Sequence, residues 1–323
     1  MALYLVTGGA GFIGSHISTG LFERGDRVRV FDDLSTGRRE NLAHLPVGDR
    51  GSGRPVELWI GELADPEALH AACAGVDGVF HEAAQVSVPQ SVAQPLRSYE
   101  TNALATLRLL EACRAHGVRR LVFAASSAAY GETEVLPKVE SMAPAPLSPY
   151  AAGKVAAEHL LAVYGHIHGM RTVSLRYFNI FGPRQLDDSP YTGVIAIFAK
   201  ALLEGRRVQI FGDGEQTRDF TFVDNVVRAN LLAMDRDVPA GAVVNVGGGR
   251  SISINQLYRE MARLLGCDLA PIYQPARAGD VRDSLASLER AQAWLGYEPV
   301  VDWRAGLEQT VAWYKARHAR RSK

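Results

Sequence analysis

The feature that most constrains the fold is a glycine-rich turn directly after the first apolar run. The run LYLVTG, residues 3–8, predicts a buried strand, and a helix is predicted over Phe12–Glu23. Gly8, Gly11 and Gly14 are spaced by three residues across this junction. Glycine allows a tight turn in which backbone N–H groups approach a ligand, and a helix N-terminus favours anions. The junction therefore predicts a site for the pyrophosphate of a dinucleotide.

Short apolar runs and helical segments alternate along the first half of the chain. The predicted strands are LYLVTG, RVRVFDD, VELWIGE, GVFHEAA, RLVFAAS and TVSLRYF, and the predicted helices are 12–23, 66–74, 98–115 and 149–166. Residues 48–55 predict a surface loop. This order is typical of an α/β protein with a Rossmann-type, doubly wound parallel sheet. We expect residues 1–178 to form the dinucleotide-binding domain, with the chain returning to it around 220–246. Residues 179–323 are expected to form mainly a smaller α/β substrate domain.

The overall composition argues against several classes of partner. Lys and Arg together number 35, as do Asp and Glu, so no net charge attracts nucleic acid or a membrane surface. The N-terminus lacks a basic region and an apolar segment long enough for a signal peptide or membrane span. Three widely separated cysteines indicate neither a disulfide framework nor a metal site. We therefore expect a cytoplasmic protein without a bound metal.

An acidic residue at the end of the second predicted strand indicates which dinucleotide binds. Asp32 lies eighteen residues beyond Gly14. A carboxylate here can accept hydrogen bonds from the adenosine ribose and would repel a 2′-phosphate, which favours NAD over NADP. Asp33 is the neighbouring candidate, and the nearby Arg38 and Arg39 leave NADP as an alternative.

The stretch LSPYAAGKVAAE, residues 147–158, pairs a phenol with an ammonium. Ser148 and Pro149 predict a helix start, which places Tyr150 and Lys154 on one helix face. Taken alone, such a pair is more often a packed ring beside a solvated amine than a catalytic pair.

Several motifs in order resemble those of the extended short-chain dehydrogenases/reductases, and specifically their nucleotide-sugar epimerase/dehydratase branch. They cover nearly the whole chain and read TGGAGFIG, FDDLSTG, FHEAAQVSV, FAASSAAYGE, SPYAAGK, RYFNIFGPRQ, FGDGEQTRDFTFVDN and RAGD. The resemblance implies that Tyr150 is the catalytic acid/base, that Lys154 is its electrostatic partner and that Ser126 binds the reacting oxygen. A structural alternative for Ser126 is that it ends a strand and caps a turn.

The resemblance also implies binding residues. Those expected to contact NAD are Gly8, Gly11, Phe12, Ile13, Gly14, Asp32, Asp33, Glu62, Leu63, Ala83, Ala84, Gln85, Tyr150 and Lys154. Those expected to contact a UDP-sugar are Ser87, Ser126, Ser127, Asn179, Arg218, Arg277, Asp280 and Ser284. The small Ser284, where some relatives have tyrosine, would leave room for N-acetylated sugars. A homodimer formed through the helices of 98–115 and 149–166 is implied as well.

The residues after Ser126 separate two reactions within this branch. Related dehydratases carry an Asp-Glu pair there, whereas this chain has Ser127 and Ala128. Elimination of water needs an acid and a base near the sugar, so their absence favours 4-epimerisation through a 4-keto intermediate. The alternatives are a nucleotide-sugar dehydratase or reductase, or an NAD-sensing protein without catalysis.

At two positions the chain departs from the residues usual in this branch, and a histidine lies beside one of them. Glu62 stands where an aspartate near the adenine is usual, and Glu82 stands at a place that is often apolar. We expect the strand end at Glu82 to be less buried than usual. His81 is interpreted as a structural histidine rather than an acid/base.

Overall fold

A computed structural model describes residues 1–186, 193–276 and 281–321. The core is an eight-stranded sheet in the order β12-β7-β6-β5-β1-β2-β4-β3, and all its neighbouring strands pair in parallel. Its strands are β1 (Leu3–Thr7), β2 (Arg27–Asp32), β3 (Val47–Asp49), β4 (Val56–Ile60), β5 (Gly78–His81), β6 (Arg120–Ser126), β7 (Arg171–Tyr177) and β12 (Ala242–Val246). The predicted doubly wound α/β fold is confirmed.

Helices cover both faces of this sheet, as expected where parallel strands are joined by crossovers. They are α1 (Phe12–Glu23), α2 (Pro66–Cys73), α3 (Val88–Ala93), α4 (Pro95–Tyr99), α5 (Ala105–Ala115), α6 (Pro149–His168) and α8 (Val223–Asp235). One apolar core, which includes Ile17, Phe80 and Val226, lies on the α1 and α8 face. A second core, which includes Leu109, Phe123 and Leu161, lies on the α5 and α6 face.

Two predicted segments differ from the structure. The loop predicted at 48–55 overlaps the short edge strand β3, which pairs with β4. The helix predicted at 98–115 is interrupted by a π-helical turn, Glu100–Leu104. Within this turn the Asn102 amide donates to the carbonyl of Gln85 and accepts from its N–H, at 3.0 and 2.9 Å. The interruption therefore anchors the loop that follows β5.

The later part of the chain adds a smaller unit beside the carboxyl edge of the sheet. It contains helices α7 (Val194–Leu203), α9 (Ile254–Leu265) and α11 (Trp303–Arg321), with strands β8 (Ile180–Phe181), β9 (Gln209–Phe211), β10 (Thr217–Asp219), β11 (Thr221–Phe222), β13 (Ser251–Ser253) and β14 (Ile272–Gln274). Helix α10 (Glu289–Leu295) instead packs against α8 and β12 and adds Ala291 and Leu295 to the first core of the large sheet. The strands form three two-stranded pairs, β8 with β11, β9 with β14 and β10 with β13. A separate apolar core joins α7, α9 and α11. Among the described residues, no helix is both long and apolar enough to cross a membrane.

Candidate active site

The glycine turn lies at the carboxyl edge of the sheet, between the ends of β1 and β5. Gly8 has φ +66°, and a Cβ atom there would lie 2.7 Å from the backbone N of Ala83. A Cβ atom at Gly14 would lie 2.3 Å from the carbonyl oxygen of Gly8. No side chain in the described part of the chain caps α1 at Gly11, so its first N–H groups face this edge uncapped. The turn thus fits the pyrophosphate of a dinucleotide.

Asp32 fixes the glycine turn against the end of β2. Its buried carboxylate accepts from the N–H of Ala10 at 2.9 Å and of Leu34 at 2.8 Å. Burial raises the pKa of Asp32, and these backbone hydrogen bonds oppose the rise. Asp33 is exposed and accepts from the N–H and the hydroxyl of Ser35. Asp32 therefore borders the expected cofactor site, while Asp33 faces solvent.

The other residues expected to contact NAD lie on loops at the same edge. Glu62 is exposed and Leu63 is half-buried after β4, and Ala83, Ala84 and Gln85 follow β5. Ser87, expected to contact the sugar nucleotide, accepts a hydrogen bond from Gln90 N at 3.1 Å and so caps α3. The structure brings these segments together around the strand ends.

Tyr150 and Ser126 meet at the end of β6. The Ser148 hydroxyl caps α6, and Tyr150 lies in its first turn. Burial raises the pKa of Tyr150, and a hydrogen bond with the Ser126 hydroxyl opposes this rise. Ser126 also accepts from Ala128 N at 3.2 Å, so it caps the short 3₁₀ helix that follows. The turn-capping role considered for Ser126 is thus observed, and its expected contact with the reacting oxygen of the substrate stays a prediction.

Lys154 lies one turn further along α6 and is only 2 % exposed. Its Nζ donates to the carbonyl of Ala124 at 2.8 Å and lies 4.6 Å from the centre of the Phe123 ring. Burial lowers the pKa of Lys154 to about 8, while the charges of Glu82 and Glu158 oppose this decrease. The amine is hydrogen-bonded to backbone rather than to the phenol, so its expected action on Tyr150 stays a prediction.

Two further carboxylates surround this lysine, and sequence reasoning assigned neither a function. Glu158 forms a buried, two-bonded ion pair with Arg176, at 2.9 and 2.7 Å. Glu82 accepts from the hydroxyl of Tyr177 at 3.0 Å, and its other oxygen is buried without a hydrogen-bond partner among the described residues. The residue as a whole is only half-buried, as are Ala83 and Ala84 after it, although the Oε2 atom itself is enclosed. The sequence feature that could have pointed to the contact with Tyr177 is Glu82 itself, an acidic residue in the motif FHEAA at a position that is often apolar.

His81 has the structural role predicted for it. Its ring nitrogens hydrogen-bond the hydroxyls of Thr7 at 2.7 Å and Thr106 at 3.0 Å, and the side chain is fully buried. Burial and the charge of Lys154 lower the pKa of His81 to about 3. A neutral ring with both nitrogens engaged does not serve as an acid/base at neutral pH.

Of the described residues expected to bind the sugar nucleotide, Asn179, Arg218 and Ser284 lie on the smaller unit, whereas Ser87, Ser126 and Ser127 lie at the edge of the large sheet. Asn179 is exposed with φ +26°, and its carbonyl accepts from Thr221 N at 3.1 Å. The Arg218 guanidinium donates to the carbonyls of Thr217 and Arg282, at 2.8 and 3.0 Å. The remaining positions are Ser127, which begins the 3₁₀ helix after β6, and the half-buried Ser284, while Arg277 and Asp280 lie outside the described residues.

A comparison of the sequence with family models identifies the family of this chain. Residues 4–247 match the model of the NAD dependent epimerase/dehydratase family. The chain belongs to this family. It is accordingly an enzyme with NAD as its cofactor, and the expected cofactor is confirmed.

Individual relatives indicate the class of reaction. The three relatives described next are named as epimerases, which are isomerases. The chain is 39 % identical over 312 residues to a UDP-glucose 4-epimerase of Mycolicibacterium smegmatis, covering 96 % of this chain and 98 % of that one. It is similar to the structure of a Thermotoga maritima UDP-glucose 4-epimerase with UDP-glucose, at TM-score 0.90, 40 % identity and coverage of 98 % and 99 %. A Methanobrevibacter ruminantium UDP-N-acetylglucosamine 4-epimerase, in complex with UDP-N-acetylmuramic acid, gives TM-score 0.91, 38 % identity and the same coverage. The chain is therefore a nucleotide-sugar epimerase.

Proposed function

We propose that the protein is a UDP-hexose 4-epimerase that interconverts UDP-glucose and UDP-galactose. The observation that carries this proposal is the meeting of Tyr150 and Ser126 at the same sheet edge as the glycine turn. A proton acceptor, a hydroxyl and a dinucleotide site are thereby brought to one crevice. We infer that residues 1–178 bind NAD and that the later residues bind mainly the nucleotide sugar.

The reaction requires a base for the sugar C4 hydroxyl. NAD, when bound, takes a hydride from C4 and returns it, so the cofactor is regenerated in each cycle. Tyr150 as a phenolate accepts the C4 hydroxyl proton and returns it after the 4-keto sugar has presented its other face. Ser126 can donate to and accept from the same oxygen as it changes from hydroxyl to ketone and back. Inversion at C4 results.

Tyr150 must be ionised at neutral pH for this role, and burial opposes that. A free phenol has a pKa near 10, so about 4 kcal/mol is needed to hold it ionised at pH 7. The Ser126 hydrogen bond acts in the required direction. We infer that the positive charge of Lys154, one helix turn away, supplies a further part, together with the positive charge of the oxidised nicotinamide.

The end of β6 supports epimerisation over dehydration. The strand continues into Ser127 and Ala128 in a short 3₁₀ helix. Neither side chain can act as the carboxylic acid or base that removal of water from the neighbouring carbon would need.

Substrate selection is proposed to depend on the smaller unit. We infer that Arg218 and Arg277 bind the diphosphate, because a guanidinium presents paired N–H donors to phosphate oxygens. Asn179 and Asp280 are inferred to contact the nucleotide sugar close to the diphosphate. The small, half-buried Ser284 is expected to leave space for an N-acetyl group. The similarity to a UDP-N-acetylglucosamine 4-epimerase supports testing that class of sugar.

We also propose that two copies associate through the helices around 98–115 and 149–166. Large apolar side chains are exposed on both, including Tyr99 at 54 % and Ile167 at 64 %. Exposed apolar groups of this size can mark an interface. Light scattering after size-exclusion chromatography should show a dimer for the wild type and a monomer for Ile167→Glu. A monomeric wild type would contradict the proposal.

The proposed reaction can be tested by incubation with UDP-glucose, UDP-galactose and their N-acetyl forms, followed by chromatography of the products. Interconversion of each epimer pair without net change in NADH absorbance is expected. Net NADH formation would indicate a dehydrogenase, net NADH consumption would indicate a reductase, and a deoxy-keto product would indicate a dehydratase. Turnover of hexoses without turnover of N-acetyl sugars would reject only the proposal for Ser284.

A further inference from the structure

Residues 285–287 form a segment that directly follows Ser284, the residue proposed to leave room for an N-acetyl group. The Lys138 N–H donates to the carbonyl of Leu285 at 2.8 Å, and the carbonyl of Lys138 accepts from Ser287 N at 2.9 Å. Lys138 belongs to the long connection between the 3₁₀ helix after β6 and helix α6. The main chain beside Ser284 therefore pairs with this connection as two adjacent strands would.

Ala286, in the middle of the segment, is buried against the end of β12. Its N–H donates to the buried carboxylate of Asp219 in β10 at 3.1 Å. Its side chain packs with Tyr130 and Phe178 in a small apolar cluster. A Cβ atom on Gly247, just after β12, would lie only 2.7 Å from the Ala286 Cβ atom. The segment is thus in close contact with the large sheet.

The side chain of Asn245, near the end of β12, joins this segment to the short helix that begins at Ser127. Its Nδ2 donates to the carbonyls of Lys138 and Ser287 at 2.9 and 3.3 Å, and its Oδ1 accepts from the Tyr130 hydroxyl at 2.6 Å. A carbonyl can only accept, so the two carbonyls require the amide nitrogen to face them. The side chain is fully buried, and both of its N–H donors and its oxygen are used.

The backbone of Asn245 takes part in the same arrangement. Its N–H donates to Oε1 of Glu140 at 2.8 Å. Strand β12 forms one edge of the large sheet, and this N–H is a group on its open side. Glu140 lies two residues beyond Lys138, so the connection that carries both residues covers the open edge of β12.

We propose that Asn245 is a positioning residue for substrate selection, whose amide fixes the segment after Ser284 relative to the Ser127–Tyr130 helix. The inference rests on the proposed function, because the sugar is expected to contact both Ser127 and Ser284. Hydrogen bonds are directional, so three of them on one amide define the spacing of these elements more narrowly than apolar contact does. Loss of the amide should therefore widen the range of sugar sizes that the site accepts.

Amide hydrogen exchange, measured by mass spectrometry, tests the structural part of the proposal without reference to activity. Asn245→Ala removes all three side-chain hydrogen bonds, and Tyr130→Phe removes one of them with little change of shape. Peptides that contain residues 285–287 should exchange about tenfold faster in Asn245→Ala, since hydrogen bonds that hold the segment are lost. Tyr130→Phe, the milder change, should give a smaller increase in the same peptides.

Asn225→Ala provides a matched control. Asn225 of α8 is 1 % exposed, and its Nδ2 donates to the carbonyl of Val301 at 2.8 Å. Its Oδ1 accepts from the N–H groups of Val300 and Val301, at 2.8 and 3.0 Å. This variant also loses a buried, fully bonded amide, but next to α11, so residues 285–287 should exchange at the wild-type rate. Equal exchange of these residues in Asn245→Ala and Asn225→Ala would overturn the proposal.

Substrate selection is measured as the ratio of kcat/KM for UDP-N-acetylglucosamine to kcat/KM for UDP-glucose. Ser284→Tyr places a ring where the N-acetyl group is expected and should lower this ratio. If Asn245 acts by holding the segment after Ser284, the decrease should be about three- to tenfold smaller when Asn245→Ala is also present. NAD affinity should not change, and Asn225→Ala should leave the effect of Ser284→Tyr as it is.

The outcomes separate this inference from the proposed function. An equal decrease with and without Asn245→Ala, or no decrease in Ser284→Tyr alone, would overturn the role of Asn245 in selection. If the wild type accepts hexoses only, Asn245→Ala should admit the N-acetyl sugars, and continued exclusion would overturn that role as well. A wild type without any epimerisation would overturn the proposed function, and hydrogen exchange would still decide whether Asn245 holds the segment.

Discussion

Replacement of Gly8 by alanine tests whether the backbone contact behind the glycine turn is as close as the structure shows. Gly8 has φ +66°, and the added methyl group would lie 2.7 Å from Ala83 N and 2.8 Å from Ala83 Cα. These are backbone atoms at the end of β5, which cannot rotate away as a side chain would. Two separate penalties therefore act at this position, one from backbone conformation and one from overlap.

Gly169 provides a matched control for the first penalty. It ends helix α6 with φ +65°, and a Cβ atom there would meet nothing within 4 Å. Gly169→Ala should therefore cost only the left-handed conformation, about 1–2 kcal/mol. Gly8→Ala should cost this amount plus about 1–3 kcal/mol for forcing atoms apart in a packed region. The difference between the variants isolates the overlap with Ala83.

Urea unfolding, followed by circular dichroism, measures both free energies of unfolding in the absence of added NAD. Gly8→Ala is expected to be the less stable variant by about 1–3 kcal/mol, with an unchanged dependence on urea. NAD affinity, measured by fluorescence titration, should decrease for Gly8→Ala and remain at the wild-type value for Gly169→Ala. Equal losses of stability in the two variants would refute the close approach of Gly8 to Ala83.

Three further changes test the site. Tyr150→Phe should retain NAD and lower kcat by about 10²–10⁴-fold or more, since it removes the proposed acid/base; a near-normal rate would exclude that role. Ser126→Ala removes the hydrogen bond that lowers the pKa of Tyr150, so the phenolate should form only at higher pH. The acid limb of the kcat profile should move to higher pH, and an unmoved limb would count against the contact. Glu158→Gln leaves buried Arg176 without its counter-ion and should cost about 3–5 kcal/mol in urea unfolding. A loss below about 1 kcal/mol, typical of exposed pairs, would contradict its burial.

The elements predicted from local pattern agree closely with the structure. Helix α1 begins at Phe12 and ends at Glu23, and β6 runs from Arg120 to Ser126, as their sequences predict. Glycine spacing, proline at a helix start and runs of apolar residues act over a few positions, so they can be recognised in one segment. The π-helical turn at Glu100–Leu104 was not predicted because it depends on Asn102 reaching Gln85, which lies on a separate loop.

The site is less accessible to sequence reasoning because its contacts join distant segments. The carbonyl that receives the Lys154 hydrogen bond belongs to Ala124, thirty residues earlier in the chain. Glu82 and Tyr177 are ninety-five positions apart and meet only because β5, β6 and β7 are neighbours in the sheet. The sequence could identify Glu82 as unusual, but only the sheet order shows that its side chain meets Tyr177.

Burial shifts the pKa values of Glu82 and Lys154 in opposite directions. It favours the neutral form of both, so the pKa of Glu82 rises while the pKa of Lys154 falls. Burial thus brings the two pKa values closer together, and the opposite charges of the two groups act against this. An apolar residue in place of Glu82 would leave the lysine to burial and to an already paired Glu158. Burial would then lower the pKa of Lys154 further, which favours the neutral amine.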